Sequence, residues 1–332
     1  MIIKRAILHI LDFSSGMSVF SQNELDLSDE TVSTFLQKHI EKLHKESARK
    51  SGNFNEESGF AAALTEYRNG ALEFIDFTTQ IANVLYENIS ISDKLEPIDL
   101  VAVDYINDES DYFTLLLITN KSAYTHQVIT DESGIHNEIM KHYAILPTPS
   151  QKIDAYAIIN MQSGEIYFAD KKRQIDGNSV FVLPQILLEC SSGASTKEVV
   201  KIVRETANEV AEEYGVNTAV AVSKAKSYIV ENCEESDTIS TEELAENIFS
   251  ESPIMREAFE KKIEEKEIPK DIKIEKASAV RASKSQKIKT DTGIEITVPV
   301  EYFEDDRYIE FINNNDGTIS IALKNIGKLT NR

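Results

Sequence analysis

Apolar residues recur along this chain with two different periods, and the switches between them divide it. The run from Ile2 to Leu11 predicts an opening strand. Val32, Phe35, Leu36, Ile40 and Leu43 then recur at helical spacing. They predict a helix with Ser28 as N-cap and Asp29 and Glu30 in its first turn, where carboxylates suit the helix dipole. Phe74, Phe77, Ile81, Val84 and Leu85 predict a second helix, and the first half of the polar stretch 48–64 reads as irregular. From residue 98 the period falls to two. DLVAVDYI, DYFTLLLIT, SAYTHQVI, KHYAIL, DAYAIINM and EIYFAD, separated by polar turns, predict an antiparallel meander. Gly164 falls in one of those turns, and Pro147 and Pro149 mark an edge or a crossing loop. Both helices are expected on one face of this sheet.

After Val180 the period returns to that of a helix. Val199, Val200, Ile202, Val203, Val210, Ala211 and Tyr214 form one apolar face, with Gly215 as its C-cap. Ala219 to Val230 is a second helix, Ser240 with Glu243 a capping box for a third, and Ser252 with Pro253 the start of a fourth. That fourth helix ends in the charged run KKIEEKE, read as a solvated face. Beyond Pro269 the short runs GIEITVPVEYF, RYIEFI and TISIAL read as strands, and Asp316-Gly317 is a hairpin signal. The expected fold class is α+β: an antiparallel sheet with covering helices, then a helical region, then a small β-rich C-terminal unit. The expected divisions are 1–180, 181–268 and 269–332. The apolar helices between Thr196 and Phe259 suit packing within one chain or across a homodimer.

Charge changes this picture. Fifty-six acidic side chains against 35 basic ones give a net charge of -21 over 332 residues. Most of such a surface repels nucleic acid and anionic membranes, so any contact with a polyanion must be confined to a patch. One stretch stands out. Between Pro269 and Thr290, Lys270, Lys273, Lys276, Arg281, Lys284, Lys287 and Lys289 face only Asp271 and Glu275, a local net charge of +5. Its Ser and Ala spacing suits a mobile arm or a solvated linker, and it contains no aromatic residue on which a base could stack. Lys171, Lys172 and Arg173 form a second basic cluster at a strand end.

Other candidate chemistry is thin. His136, Glu138 and His142 lack the i, i+4 histidine pair of a helical metal site, and His39 reads as a packed core histidine. Asp104, Asp108, Glu109 and Asp111 lack the spacing of a calcium loop and read as a polar hairpin turn. Cys190 precedes a helix start but has no partnering base, and a buried thiol is expected. Phosphate-loop, dinucleotide and serine-hydrolase motifs are missing from the sequence. Cys190 and Cys233 lie far apart with no CxxC pairing, as in reduced cytoplasmic proteins. No stretch is long enough to span a membrane. These residues predict a cytoplasmic protein that is not an enzyme and holds neither cofactor nor metal.

Three stretches carry a resemblance. Residues 53–85 hold Phe54, Glu56, Glu57 and Ser58 just before a helix. Residues 181–210 run from FVLPQILLEC through a small-residue loop into a helix, and 292–325 form the terminal β unit. Together with the opening strand they resemble the bacterial nucleoid-associated protein family over nearly the whole chain. The resemblance implies a place in the nucleoid and affinity for DNA or for a protein bound to it, and it supplies no catalytic residues. The expectation is DNA contact through the basic patch. The alternative is an acidic interaction module recruited by a DNA-bound protein.

Overall fold

A computed structural model of the chain describes residues 1–13, 18–132, 134–266, 268–303, 305, 307–314 and 317–328, without the side chains of 143, 144 and 313. Asp316 of the expected hairpin turn and Glu267 of the charged run lie outside these residues. The chain forms two compact units, Met1–Gly193 and Ala194–Arg332.

The first unit runs β1 (Ile2–Leu11), α1 (Glu30–His44), β2 (Lys50–Asn53), α2 (Gly59–Arg68), α3 (Phe74–Ile89), β3 (Ile98–Asn107) and β4 (Ser110–Thr119). It continues with β5 (Lys121–Asp131), β6 (Gly134–Ile145), β7 (Ala155–Asn160), β8 (Glu165–Ala169), β9 (Lys172–Ile175), β10 (Asn178–Phe181) and a π-helical turn, Leu183–Leu187. Six strands form an antiparallel sheet in the order β1-β3-β4-β7-β8-β2. Its central strands are apolar at almost every position because both faces are buried. Leu100, Ala102, Phe113, Leu115, Ala157 and Ile159 point to α2, α3 and the π turn. Val101, Val103, Tyr105, Leu116, Tyr156 and Ile158 point to α1.

The two predicted helices therefore cover opposite faces of the sheet, correcting the expectation that they share one. An amphipathic stripe says that a helix face is buried, not which side of a sheet buries it. The N-cap of α1 is Asp29, whose side chain accepts from the Thr31 amide, and Ser28 instead bonds Asp26. The meander is also interrupted. β5 and β6 pair only with each other among the described strands, as a separate hairpin outside the sheet. Pro147 and Pro149 lie in the loop that leads back from β6 to β7.

The half-stretch read as irregular contains β2 at the sheet edge, and the capped start of α2 follows it. The Ser58 hydroxyl accepts from the Ala61 amide and donates to the Leu188 carbonyl at 2.8 Å. Gly59 N–H donates to the Glu189 carboxylate at 2.7 Å, and Asn55 N–H to the Glu189 carbonyl at 2.9 Å. Ser191 and Gly193 amides donate to the carbonyls of Asn53 and Ser51, both at 2.9 Å. A Cβ on Gly52 would lie 2.1 Å from the Ser191 carbonyl oxygen, so glycine is needed for this approach. The Phe54–Ser58 element and the 181–193 segment are thus one seam.

The second unit runs α4 (Thr196–Glu213), α5 (Thr218–Glu235), β11 (Thr238–Ser240), α6 (Thr241–Ile248), α7 (Pro253–Glu265), β12 (Asp271–Lys273) and α8 (Lys276–Ser283). β13 (Ser285–Lys289), β14 (Glu295–Pro299), a 3-10 turn (Val300–Tyr302), β15 (Ile309–Asn313) and β16 (Ile319–Leu323) complete it. Ser195 and Glu198 form a capping box at the start of α4. Its end is a Schellman turn in which Gly215, at φ 69°, donates to Glu212 while Val216 donates to Ala211. Ser252 caps α7 with Pro253 in its first turn. At α6 the Ser240 hydroxyl accepts from the Glu243 amide, while the Glu243 carboxylate accepts from Tyr228 Oη. Val199, Val203, Val210, Ile229, Leu244 and Phe259 share one core within this single chain.

Candidate nucleic-acid interface

The basic segment folds as a strand, a helix and a strand, which corrects the expectation of a mobile arm or linker. β12 pairs with β11, and β13 pairs with β14. The Glu275 side chain caps α8 by accepting from the Ala277 and Ser278 amides, and Ser278, Ala279 and Ser283 are buried. Small Ser and Ala residues let α8 pack closely on α4 and α5. Lys270, Lys273, Lys276, Arg281, Lys284, Lys287 and Lys289 remain exposed around this frame.

Lys287 and Lys289 enter a groove of about 520 Å³ bounded by α4, α5 and β13. Two further cations line it, Arg204 from α4 and Lys226 from α5. Two hydrogen bonds fix β13 on α5: Lys226 Nζ donates to the Ser285 carbonyl at 2.8 Å, and Gln286 Nε2 to the Ala219 carbonyl at 3.0 Å. Lys226 is 6% exposed. Burial, and then repulsion from Arg204, lower its pKa below the usual lysine value. The buried Gln286 Oε1 has no protein partner among the described residues.

Glu205 and Glu209 also line the groove. Both have cations from elsewhere: Lys266 lies 3.1 Å from Glu209, and Lys201 lies 3.8 Å from Glu205. Lys287 pairs with Glu295 at 2.6 Å, an exposed pair of small energetic weight. The lining is thus net positive in a strongly acidic chain. Arg204 and Lys226 were missed in the sequence because each sits on an amphipathic helix that carries charges of both signs, more than fifty residues from β13.

The second basic cluster is engaged within the first unit. Lys171 Nζ lies 2.7 Å from Glu96, holding that carboxylate down to about 2. Arg173 is buried, which lowers its pKa against the opposing charge of Asp170. Lys172 is exposed, its ammonium 5.5 Å from the centre of the Phe181 ring.

Other sites take their plainer readings. His136 and His142 lie on strand β6, not a helix, and His136 contacts Glu138 at 3.6 Å. Among the described residues no group of three or more His, Cys, Asp and Glu side chains could hold a metal. His39 is buried with Nδ1 2.8 Å from the Phe35 carbonyl. Asp108 and Glu109, at φ 48° and 66°, form the two-residue turn between β3 and β4. Lys4 holds Asp104 and Asp111, and Tyr67 Oη donates to Asp104. Cys190 is buried and its thiol is pushed up to about 11, away from a reactive thiolate. Both cysteines are free, and no helix among the described residues is long and apolar enough to cross a membrane.

The family model described as nucleoid-associated protein YejK matches residues 7–330. The chain belongs to this family. Its mixed helices and antiparallel strands agree with the α+β class expected from the sequence. It is also similar to nucleoid-associated proteins of Shewanella baltica strains OS155 and OS185. Each is 38% identical over 66 residues, 20% of this chain and 19% of the relative. These alignments span about a fifth of the relatives' length, so family membership rests on the full-length match.

Proposed function

We propose that this family member is a non-enzymatic DNA-binding protein of the bacterial nucleoid, in the cytoplasm, that holds the phosphate backbone in the α4–α5–β13 groove. The observation that carries this reading is the convergence of Arg204, Lys226, Lys287 and Lys289 on one groove whose two carboxylates already have cationic partners. The exposed Lys270, Lys273, Lys276, Arg281 and Lys284 extend the positive field around it. Such contacts position a protein on DNA without reading its sequence. Lys171 and Arg173 belong to intrachain contacts in this reading, leaving Lys172 as the cation of that cluster available to DNA.

The test is binding of the full chain to a short duplex across a salt series. Four cations, each displacing about 0.9 counterion, give a slope of log K against log salt of about -3.6. That is roughly a 150-fold loss of affinity between 50 and 200 mM salt. Reversing Lys287 and Lys289 to Glu should flatten the slope by about half and weaken binding at every salt concentration. A wild-type chain that does not bind duplex at 50 mM salt sinks the reading. The net charge of -21 favours a second one, recruitment through a DNA-bound protein. In that case the charge reversals leave nucleoid recovery unchanged.

A further inference from the structure

We infer that the α4–α5–β13 groove receives an unpaired guanine nucleotide, with its base against α4 and its phosphate against β13. The assignment rests on the reading of this groove as a phosphate site and names what else it holds. The lining divides by chemistry. β13 presents Lys287 and Lys289, two residues apart and so on one face of the strand. α4 presents Arg204, Glu205, Asn208 and Glu209, two pairs at i and i+4 that share one helix face. The floor is α5, on which α4 packs and to which β13 is hydrogen-bonded. Val222 of α5 and Ile288 of β13 add an apolar strip to the lining.

A duplex backbone alone does not account for this lining, because its phosphates would meet two carboxylates on the α4 wall. A ligand with an anion at one end and hydrogen-bond donors at the other satisfies both walls. Lys226 calls for the anion. It is 6% exposed, with the Ser285 carbonyl as partner and no carboxylate in ion-pair contact among the described residues. A phosphate entering the groove brings the counter-charge that such a buried ammonium lacks. Glu205 calls for the donors. Its ion pair with Lys201, at 3.8 Å, joins two exposed side chains and is weak, so the carboxylate is free to accept from a ligand. Glu209, by contrast, is held through both oxygens by Lys266 at 3.1 Å.

Guanine is the base that fits Glu205 and Arg204 together. Its N1–H and N2 amine are adjacent donors for a carboxylate, and its O6 and N7 are adjacent acceptors for a guanidinium. Adenine and cytosine present a ring acceptor where guanine presents N1–H, and thymine has no amine. Watson–Crick pairing consumes that N1–H, so the nucleotide must be unpaired. The groove volume of about 520 Å³ lies within the range of about 300–1,000 Å³ found for small-ligand sites.

The experiment measures binding of the full chain at low salt to short labelled thymidine strands that carry one central guanine or one central adenine. The guanine strand should bind about 10-fold more tightly, the discrimination a bidentate base contact gives. Glu205→Gln should abolish that preference without loosening the adenine strand, whereas Lys287→Glu should loosen both strands alike. The control Glu212→Gln, on α4 outside the groove, should keep the preference. Guanosine monophosphate, and not adenosine monophosphate, should then be tried as competitor. Displacement of the guanine strand means that a lone nucleotide fills the site; a guanine preference without displacement means that the neighbouring phosphates of a strand are part of the ligand. Equal affinity for the two strands overturns the inference, as does a preference that survives Glu205→Gln. If duplex still binds with the steep salt slope in that case, the phosphate reading of the groove stands and only the guanine assignment falls. If neither strands nor duplex bind, both fall.

Discussion

Acidification should destabilise the first unit well before its carboxylates are generally protonated, because one buried and one half-buried histidine are held neutral. His9 is fully buried, and its Nδ1 accepts the Ser21 amide at 3.1 Å. The ring proton therefore sits on Nε2, which has no partner among the described residues. Burial holds His9 down to about 4. His44 lies with Nε2 2.8 Å from Tyr105 Oη, and burial, then the charge of Arg49, lower it to about 4 as well. Both folded values lie below the unfolded value of 6.5. Between pH 6.5 and 4 the unfolded chain thus binds more protons, and stability falls as pH falls. At pH 5 each histidine costs about 2 kcal/mol, and the two cost about 4, a large share of a typical 5–15. Asp99 and Asp170, raised by burial, act in the opposite sense, and Glu96 adds its loss only as it too becomes protonated. The assay is hydrogen exchange of the β3 and β4 core amides at pH 7.5, 6 and 5, converted to opening free energies. His9→Gln and His44→Gln should each remove about half of the wild-type drop. A wild-type loss below about 1 kcal/mol, or variants that keep the full drop, would refute the reasoning.

Two further substitutions test the groove and the seam. Lys226→Met keeps the aliphatic stem and removes a buried ammonium that has a carbonyl partner but no carboxylate. It should stabilise the chain by about 1 kcal/mol in thermal unfolding while weakening DNA binding. A loss of stability would mean that the bond to Ser285 outweighs the cost of burying the charge. Gly52→Ala places a methyl on the Ser191 carbonyl and should cost about 2–4 kcal/mol in urea unfolding. A neutral result would show that the 190–193 segment is not clamped against β2.

The elements legible in the sequence were those whose own burial writes a pattern. β3, β4 and β7 announce themselves through Val, Ile and Leu, and α4 through its stripe and its Gly215 stop. β2 was not legible because Lys50, Ser51, Gly52 and Asn53 are chosen for a polar edge and a close backbone approach. The departure of β5 and β6 from the sheet was hidden because half-apolar alternation reads the same in a free hairpin as in a half-buried strand. At the groove, Lys287 and Lys289 were visible as charge density in one segment. Arg204 and Lys226 join them only through the packing of α4, α5 and β13.

The position of β2 also sets an order of events during synthesis. It is made early but pairs with β8, whose first residue follows its last by about 110 positions. At about 5–20 residues per second, β2 waits roughly 5–20 s for that partner. The clasp from Ser191 and Gly193 arrives later still, at the end of the unit. A strand left unpaired for so long on a crowded ribosome would be a hazard if it were apolar. Lys-Ser-Gly-Asn is a sequence that can wait in water, so the polarity that conceals β2 from a reader also guards the nascent chain.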